Sequence, residues 1–442
     1  MSTTGMNLNG ITANTLLATT FAQGVYLAEG SAQFQPPTGF EKVESSQLNF
    51  TPTPNSGFAA ETYYNKVTGQ VVIAYRGSDT VGEALGVAAR AATTGYWDPQ
   101  FTDATNYAVQ AKAAALVQIN AYRRGAELPE MTSSNLTPLL TGHSLGGLLA
   151  QVVSKMFGYP AEVLDSLGAG RLVTTAEFQT QARALNQVDA QGNVLDFNVS
   201  DKVVNYATSG ASNLGIQLGS TVDIPALGQI GGVATLLSVA AAFFVPLVGA
   251  GVFATQQLAA KHNAIEIERA MYGLAALKPL LADAGELRSQ SMSLEQAQGT
   301  IGDPMVPGPN VVGLVNGQGQ VVAYIDRDQG NPRIVVMQGA ATGTQLLLGP
   351  QDSEVNGALT VTRINPDNSV TVLTKGQILN TVGGIQTIKR TDTDGDGEVD
   401  TETTTTSLSD ENGDGQIVDT QNYQDGEVVG HESQTYDENS AA

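Results

Sequence analysis

The 442-residue chain has no cysteine, a single tryptophan and only three histidines. Without cysteine there is no disulfide, zinc–thiolate site, iron–sulfur cluster or thiol nucleophile to consider. Basic residues are scarce: 21 Lys and Arg stand against 43 Asp and Glu, for a formal net charge of −22. That balance argues against nucleic-acid partners, which require clustered Lys and Arg, and works against docking on anionic membranes. The opening MSTTGMNLNGITANTLLATTF lacks a positively charged start and an unbroken apolar stretch, so it does not read as a secretory signal peptide.

What is present is enough apolar material, 41% of residues, to bury a sizeable core, in a chain longer than one typical domain. Residues 1–302 alternate helical and strand patterns, which predicts an α/β fold. Residues 57–64 and 70–75 read as paired strands around a turn at Gly69. Residues 103–124 repeat apolar side chains at helical spacing behind Asp103 as N-cap. Leu136–Leu140 reads as a buried strand, Leu145–Phe157 as a helix, and Glu162–Leu167 as another strand. From 303 to 390, runs such as VVGLV, VVAYI, RIVVM, LTVTRI and VTVLT alternate with turn clusters, predicting a small all-β module behind the proline-rich 303–309 linker. Residues 391–442 hold 15 acidic and no Lys or Arg side chains, leaving an ordinary body at −7. Residues 224–260 carry no charge and include about 25 apolar positions, long enough to span a bilayer. Pro246, Gly249 and Gly251 interrupt that stretch. A buried or capping insertion, a lipid-facing hairpin and a true span all remain open for it.

Chemistry concentrates at Gly142-His143-Ser144-Leu145-Gly146. This G-x-S-x-G lies between an apolar strand and an apolar helix, the setting of a nucleophile elbow. The turn exposes the serine hydroxyl at the positive end of a helix and aims the Leu145 amide at a developing oxyanion; glycines are needed because a Cβ at 142 or 146 would strike the neighbouring strand or helix. A serine nucleophile needs a base. His143 is inside the elbow and cannot swing onto Ser144, and His431 lies in the acidic tail, so elimination leaves His262. The acid is expected between them, from Asp165, Asp189, Asp196, Asp201 and Asp223; Asp201, placed after an apolar run ending at Val199, is preferred and Asp196 is second. The strand Val71–Tyr75 runs into Arg76-Gly77-Ser78, where the Ser78 amide is expected as the second oxyanion donor.

The order of these segments resembles the class 3 (fungal-type) lipase family of α/β hydrolases. VVIAYRGSD is similar to that family's oxyanion strand, LLTGHSLGGLLAQ to its elbow, and FNVSDKVV to its Asn-x-x-Asp-x-Val acid loop. LDSLGAGRL is similar to its Phe-Gly-x-Pro-Arg segment, with Leu167 and Gly170 in place of Phe and Pro. The resemblance covers about residues 50–270. It implies a mostly parallel sheet flanked by helices, hydrolysis of lipid carboxylesters by Ser144, His262 and Asp201, and a lid at 80–97. The uncharged 224–260 segment suits a lipid substrate, and either segment could touch a lipid interface.

The tail adds two calcium-loop-like runs, with candidate ligands Asp392, Asp394, Asp396, Glu398 and Asp400, then Asp410, Asn412, Asp414 and Gln416. They resemble dockerin or thrombospondin-type calcium loops. The expectation is therefore a lipid-ester hydrolase, a triacylglycerol lipase or phospholipase A1, with structural calcium, exported by a route independent of an N-terminal signal. A small-ester or polyester hydrolase without interfacial preference, and a non-catalytic calcium-dependent adhesion or toxin-like module, are the rivals.

Overall fold

The computed structural model describes residues 6–27, 34, 36–78, 87–88, 90–208, 215–225, 266–281, 285–292, 297, 311–327, 332–339, 341–349, 359–382, 386–391, 401–410, 413–424 and 427–437. Two compact units divide the chain. The first consists mainly of residues 14–271, the second of residues 7–13 with most of 272–442.

The first unit is built on a seven-stranded sheet. Numbering strands along the chain from β1 (Met6–Asn7), its members are β2 (Phe40–Lys42), β3 (Ala60–Asn65), β4 (Val71–Tyr75), β5 (Leu139–His143), β6 (Ala161–Leu164), β7 (Val203–Thr208) and β8 (Ser220–Ile224), in that spatial order. β2, β3 and β4 are antiparallel neighbours, and β4 through β8 run parallel. All five residues of β4 and of β5 are buried, as expected where helices cover both faces of a parallel sheet. The β3–β4 hairpin turns through Asn65–Gly69, with the Asn65 side chain accepting from the Val67 and Thr68 amides and Gly69 at φ 75°.

Among the described residues, this unit includes the helices α1 (Ala13–Gly24), α2 (Arg90–Thr94), α3 (Pro99–Gly125), α4 (Leu145–Phe157) and α5 (Ala176–Ala184). The helix α3 starts four residues before the expected N-cap. Asp98 caps it by accepting from the Gln100 amide, and Pro99 fills the first turn, where a missing N–H costs nothing. Ala104, Ala108, Ala111 and Ala115 line one buried face, letting α3 pack closely. Asp103 instead lies inside the helix and is buried. Its carboxylate accepts from the Thr53 amide (3.0 Å), the Thr53 hydroxyl (2.8 Å) and the Ser56 hydroxyl (2.8 Å), fastening the segment that leads into β3.

The second unit carries an eight-stranded sheet in the order β1-β9-β10-β11-β12-β13-β14-β15. Its strands are β9 (Glu286–Met292), β10 (Val311–Val315), β11 (Val321–Asp326), β12 (Arg333–Val336), β13 (Gln345–Leu348), β14 (Thr360–Ile364) and β15 (Val370–Thr374), and β9 to β15 pair antiparallel in sequence order. The division between units falls near residue 272, ahead of the proline-rich 303–309 segment, because β9 precedes that segment and pairs with β10. The unit is not wholly β: residues 272–277 and Lys375–Val382 are helical. A four-stranded antiparallel sheet follows, of β16 (Gln386–Thr391), β17 (Thr401–Asp410), β18 (Gly413–Gln424) and β19 (Glu427–Asp437).

Trp97, the chain's single tryptophan, contacts Phe101 and Phe178 and so reports on the first unit. Asp103→Ala leaves the Thr53 and Ser56 donors without their acceptor. We expect it to lower the unfolding free energy of this unit by about 2–3 kcal/mol, read as a reduced urea midpoint in Trp97 fluorescence.

Candidate active site

β5 and α4 are joined by Ser144 alone. From Pro138 to Ser154 every residue is buried except this serine. Its backbone stands at φ 56°, ψ −119°, a conformation that costs a non-glycine residue about 1–3 kcal/mol and persists only where the surroundings enforce it. Enforcement comes from two glycines. A Cβ on Gly146 would overlap the Tyr75 carbonyl oxygen at the end of β4, and one on Gly142 would lie 2.8 Å from the same atom and 2.5 Å from the Gly146 carbonyl oxygen. Strand, turn and helix can therefore close together only with glycine at both places. The Ser144 hydroxyl makes no capping bond to its helix, and the Leu145 N–H, at the first helical position, has no partner within the helix.

The loop after β4 packs against this turn. A Cβ on Gly77 would lie 2.6 Å from the His143 carbonyl oxygen, so only glycine lets the chain pass there. The next hydroxyl, on Ser78, is shielded from solvent and has no hydrogen-bond partner among the described residues. An unpartnered shielded hydroxyl, one residue beyond the Gly77–His143 approach, is the kind of donor that an oxyanion site holds ready. His143 points away from the nucleophile role. It is buried, the Tyr26 hydroxyl lies 3.1 Å from its Nδ1, and burial pushes its pKa down to about 4.

The five carboxylates weighed as the acid separate cleanly. Asp201 does not reach this end of the sheet. It precedes β7, and Lys202 accepts from the Ala161 amide at the start of β6, whereas Ser144 follows the far end of β5. At about 3.3 Å per strand residue, Asp201 stands on the order of 15 Å from the level of Ser144 along the strands. The expectation that residues up to Val199 form a strand ending at a catalytic loop is thus corrected. Asn198 accepts from the Ser200 amide and Val199 from the Lys202 amide, so this polar cluster is a turn that begins a strand rather than finishing one. Asp196 is exposed and paired with Lys155, and Asp189 closes a surface turn by accepting from Gln191 and Asn193. Two remain at the carboxyl end: Asp223 in β8 and Asp165, which directly follows β6.

A family model described as a phospholipase-like, Tle-like phospholipase domain matches residues 18–247, more than half of the chain and including the elbow and the Ser78 loop. The chain belongs to the Tle-like phospholipase domain family. Two solved structures of Lip2 lipase from Yarrowia lipolytica are also similar. One is 14% identical and covers 48% of this chain and 74% of that chain at a TM-score of 0.25; a nonglycosylated form is 14% identical and covers 46% and 74% at 0.27. The comparison with curated proteins gives no match.

The parallel sheet, helical layers and strand–serine–helix elbow of this Tle-like chain make an α/β-hydrolase-like fold. Its segment 167–170 departs from the fungal pattern for a visible reason: the Gly170 N–H donates to the Ile216 carbonyl at 2.7 Å, a bond that proline could not make. His262, residues 80–86 and 89 of the expected 80–97 lid, most of the apolar 224–260 stretch, and the calcium candidates Asp392, Asp394, Asp396, Glu398, Asp400 and Asn412 lie outside the described residues. Of the second calcium-like run, Asp410 ends β17 and Asp414 and Gln416 belong to β18. The two strands pair antiparallel, with Asp410 opposite Gly413. Among the described residues no cluster of three or more His, Asp or Glu could hold a metal ion, and no helix is long and apolar enough to cross a membrane.

Because the folded chain protonates His143 only near pH 4 while an unfolded histidine does so near 6.5, the unfolded state binds the extra proton between those values. The stability tied to this neutral imidazole is complete above pH 6.5 and falls as pH drops towards 4, by about 3 kcal/mol. We expect the stability difference between wild type and His143→Gln to shrink by that order between pH 6.5 and 4, as measured by urea unfolding at each pH.

Proposed function

We propose that this chain hydrolyses acyl ester bonds of glycerophospholipids through an acyl-enzyme on Ser144. The observation that carries the reading is the Ser144 elbow. A strained, half-exposed hydroxyl stands at a helix start where the Leu145 amide has no partner within the helix, and Gly77 of the Ser78 loop packs against the His143 carbonyl. The phospholipid class follows the description of the family to which residues 18–247 belong, and the uncharged 224–260 sequence suits acyl chains.

In this reading His262 is the base, since His143 is buried beside Tyr26 and His431 falls in the acidic tail of the sequence. The imidazole takes the Ser144 proton as the oxygen bonds to the ester carbonyl carbon. The negative charge moves to the carbonyl oxygen, where the Ser78 and Leu145 amides receive it. Collapse breaks the ester C–O bond, and the imidazolium gives its proton to the departing lysophospholipid alkoxide. Water then repeats the sequence, with the imidazole again as base, and releases the fatty acid. A helix N-terminus adds a fixed positive potential near the oxyanion.

Product analysis with phosphatidylcholine vesicles and emulsified triacylglycerol tests this. Wild type is expected to release fatty acid and lysophosphatidylcholine, with Ser144→Ala reduced by at least about a thousandfold. An equally active Ser144→Ala variant contradicts the mechanism. Release from triacylglycerol alone contradicts the phospholipid assignment and would make the chain a triacylglycerol lipase.

A further inference from the structure

We infer that Asp165, at the carboxyl end of β6, is the carboxylate that positions the catalytic imidazole. The inference rests on the reading of Ser144 and His262 proposed above. Place is the first argument. Asp165 directly follows Leu164, whose carbonyl accepts the Ser144 amide at 3.0 Å, so nucleophile and carboxylate leave adjacent parallel strands at the same end. Adjacent strands are about 4.8 Å apart, whereas Asp223 on β8 is three strands from β5, about 14 Å across the sheet. The order Ser144, Asp165, His262 is the nucleophile–acid–histidine order of α/β hydrolases.

Pre-organisation is the second argument. Asp165 has φ 42°, a left-handed conformation in which a side chain is held only by its surroundings. Those surroundings form a buried polar network on the next residue. The Ser166 amide donates to Asn205 Oδ1 at 3.0 Å, Gln217 Nε2 donates to the Ser166 carbonyl at 2.8 Å, and Gln151 Nε2 donates to the Ser166 hydroxyl at 2.8 Å. Gln151 comes from α4, the helix that Ser144 opens, and a Cβ on Gly147 would lie 2.6 Å from Ser166. Elbow and carboxylate are thereby braced against each other.

Free acceptor capacity is the third. Oδ1 accepts from the Thr208 amide at 2.7 Å, and the Thr208 hydroxyl is shared between Oδ2 at 2.9 Å and Oδ1 at 3.2 Å, which leaves acceptor capacity on a carboxylate that can take about four hydrogen bonds. Burial lifts its pKa to about 6 against the lowering effect of the Thr208 bonds; an imidazolium beside it would favour the ionised form. A carboxylate so placed holds the imidazole in the tautomer that accepts the serine proton and stabilises the cation that follows, without itself taking the proton.

Steady-state hydrolysis of a soluble p-nitrophenyl ester by the full chain tests the assignment, with Trp97 fluorescence unfolding as a check on folding. Asp165→Asn is expected to lower kcat by about 10³–10⁴-fold at nearly unchanged KM. Asp165→Glu should recover at least tenfold over the Asn variant. Thr208→Val, which keeps the carboxylate but removes its hydroxyl partner, should stay within tenfold of wild type, and Asp201→Asn and Asp223→Asn within about twofold. An Asp165→Asn variant retaining more than a tenth of wild-type kcat overturns the inference. So does Thr208→Val losing as much as Asp165→Asn, or the large loss falling on Asp201→Asn or Asp223→Asn. Should Asp165→Asn not fold, a kcat that falls more than tenfold in Asp165→Glu but not in Thr208→Val supports the inference, and any other ordering of that pair overturns it. Ser144→Ala is the separate control: full activity there sinks the hydrolase reading itself, whereas an inactive Ser144→Ala beside an active Asp165→Asn sinks only the role of Asp165.

Discussion

The Tyr75 carbonyl, at the end of β4, is approached by the backbone on the far side of the elbow so closely that residues 142 and 146 have no room for a side chain. This backbone-to-backbone contact is the constraint on which the rest of the site depends. It forces Ser144 out of both strand and helix conformations, lifts its hydroxyl from an otherwise buried run, and starts α4 with a Leu145 amide that has no partner within the helix. The same strand continues into Gly77 and Ser78, so the contact that strains Ser144 also fixes where the Ser78 loop begins. Strain of about 1–3 kcal/mol at one residue is small beside the burial of β4, β5 and α4 around it.

Behind the elbow, rigidity is polar rather than apolar. Gln151, Ser166, Asn205 and Gln217 are buried, and they bond to one another and to the 166–167 backbone. In a low-dielectric interior such a satisfied network specifies one arrangement, because any slip leaves a donor unpaired. It joins α4, the end of β6, β7 and the 215–218 segment into one frame. The end of the sheet that carries Ser144 is thereby held by elements packed behind the elbow.

The elbow was legible in the sequence because its cause is local: two glycines four apart around a serine, between an apolar strand and an apolar helix. The bounds of α4 and the Asn65–Gly69 hairpin follow from equally local signals. Asp201 misled because Asn198-Val199-Ser200-Asp201 carries the residue types of an acid loop, yet those same side chains close a turn ahead of β7. Asp165 carried no such mark. The run AEVLDSLG reads as one continuous strand, and nothing in it announces that the strand stops at Leu164 and that the next residue turns left-handed. Only the parallel register of β5, β6 and β7 shows which carboxylates share an end with Ser144. The strand β9 went unseen for a related reason, since its partner β10 lies beyond the proline-rich segment that seemed to divide the chain.

The central claim is that the geometry at residue 144 makes one serine hydroxyl nucleophilic. Covalent capture tests it most directly: the full chain is treated with a fluorophosphonate, and the adduct is counted by intact mass and located by peptide mapping. The account predicts one adduct per chain, on Ser144, forming at least about a thousandfold more slowly in His262→Ala. No adduct, or an adduct on another residue at the same rate in both proteins, would contradict it.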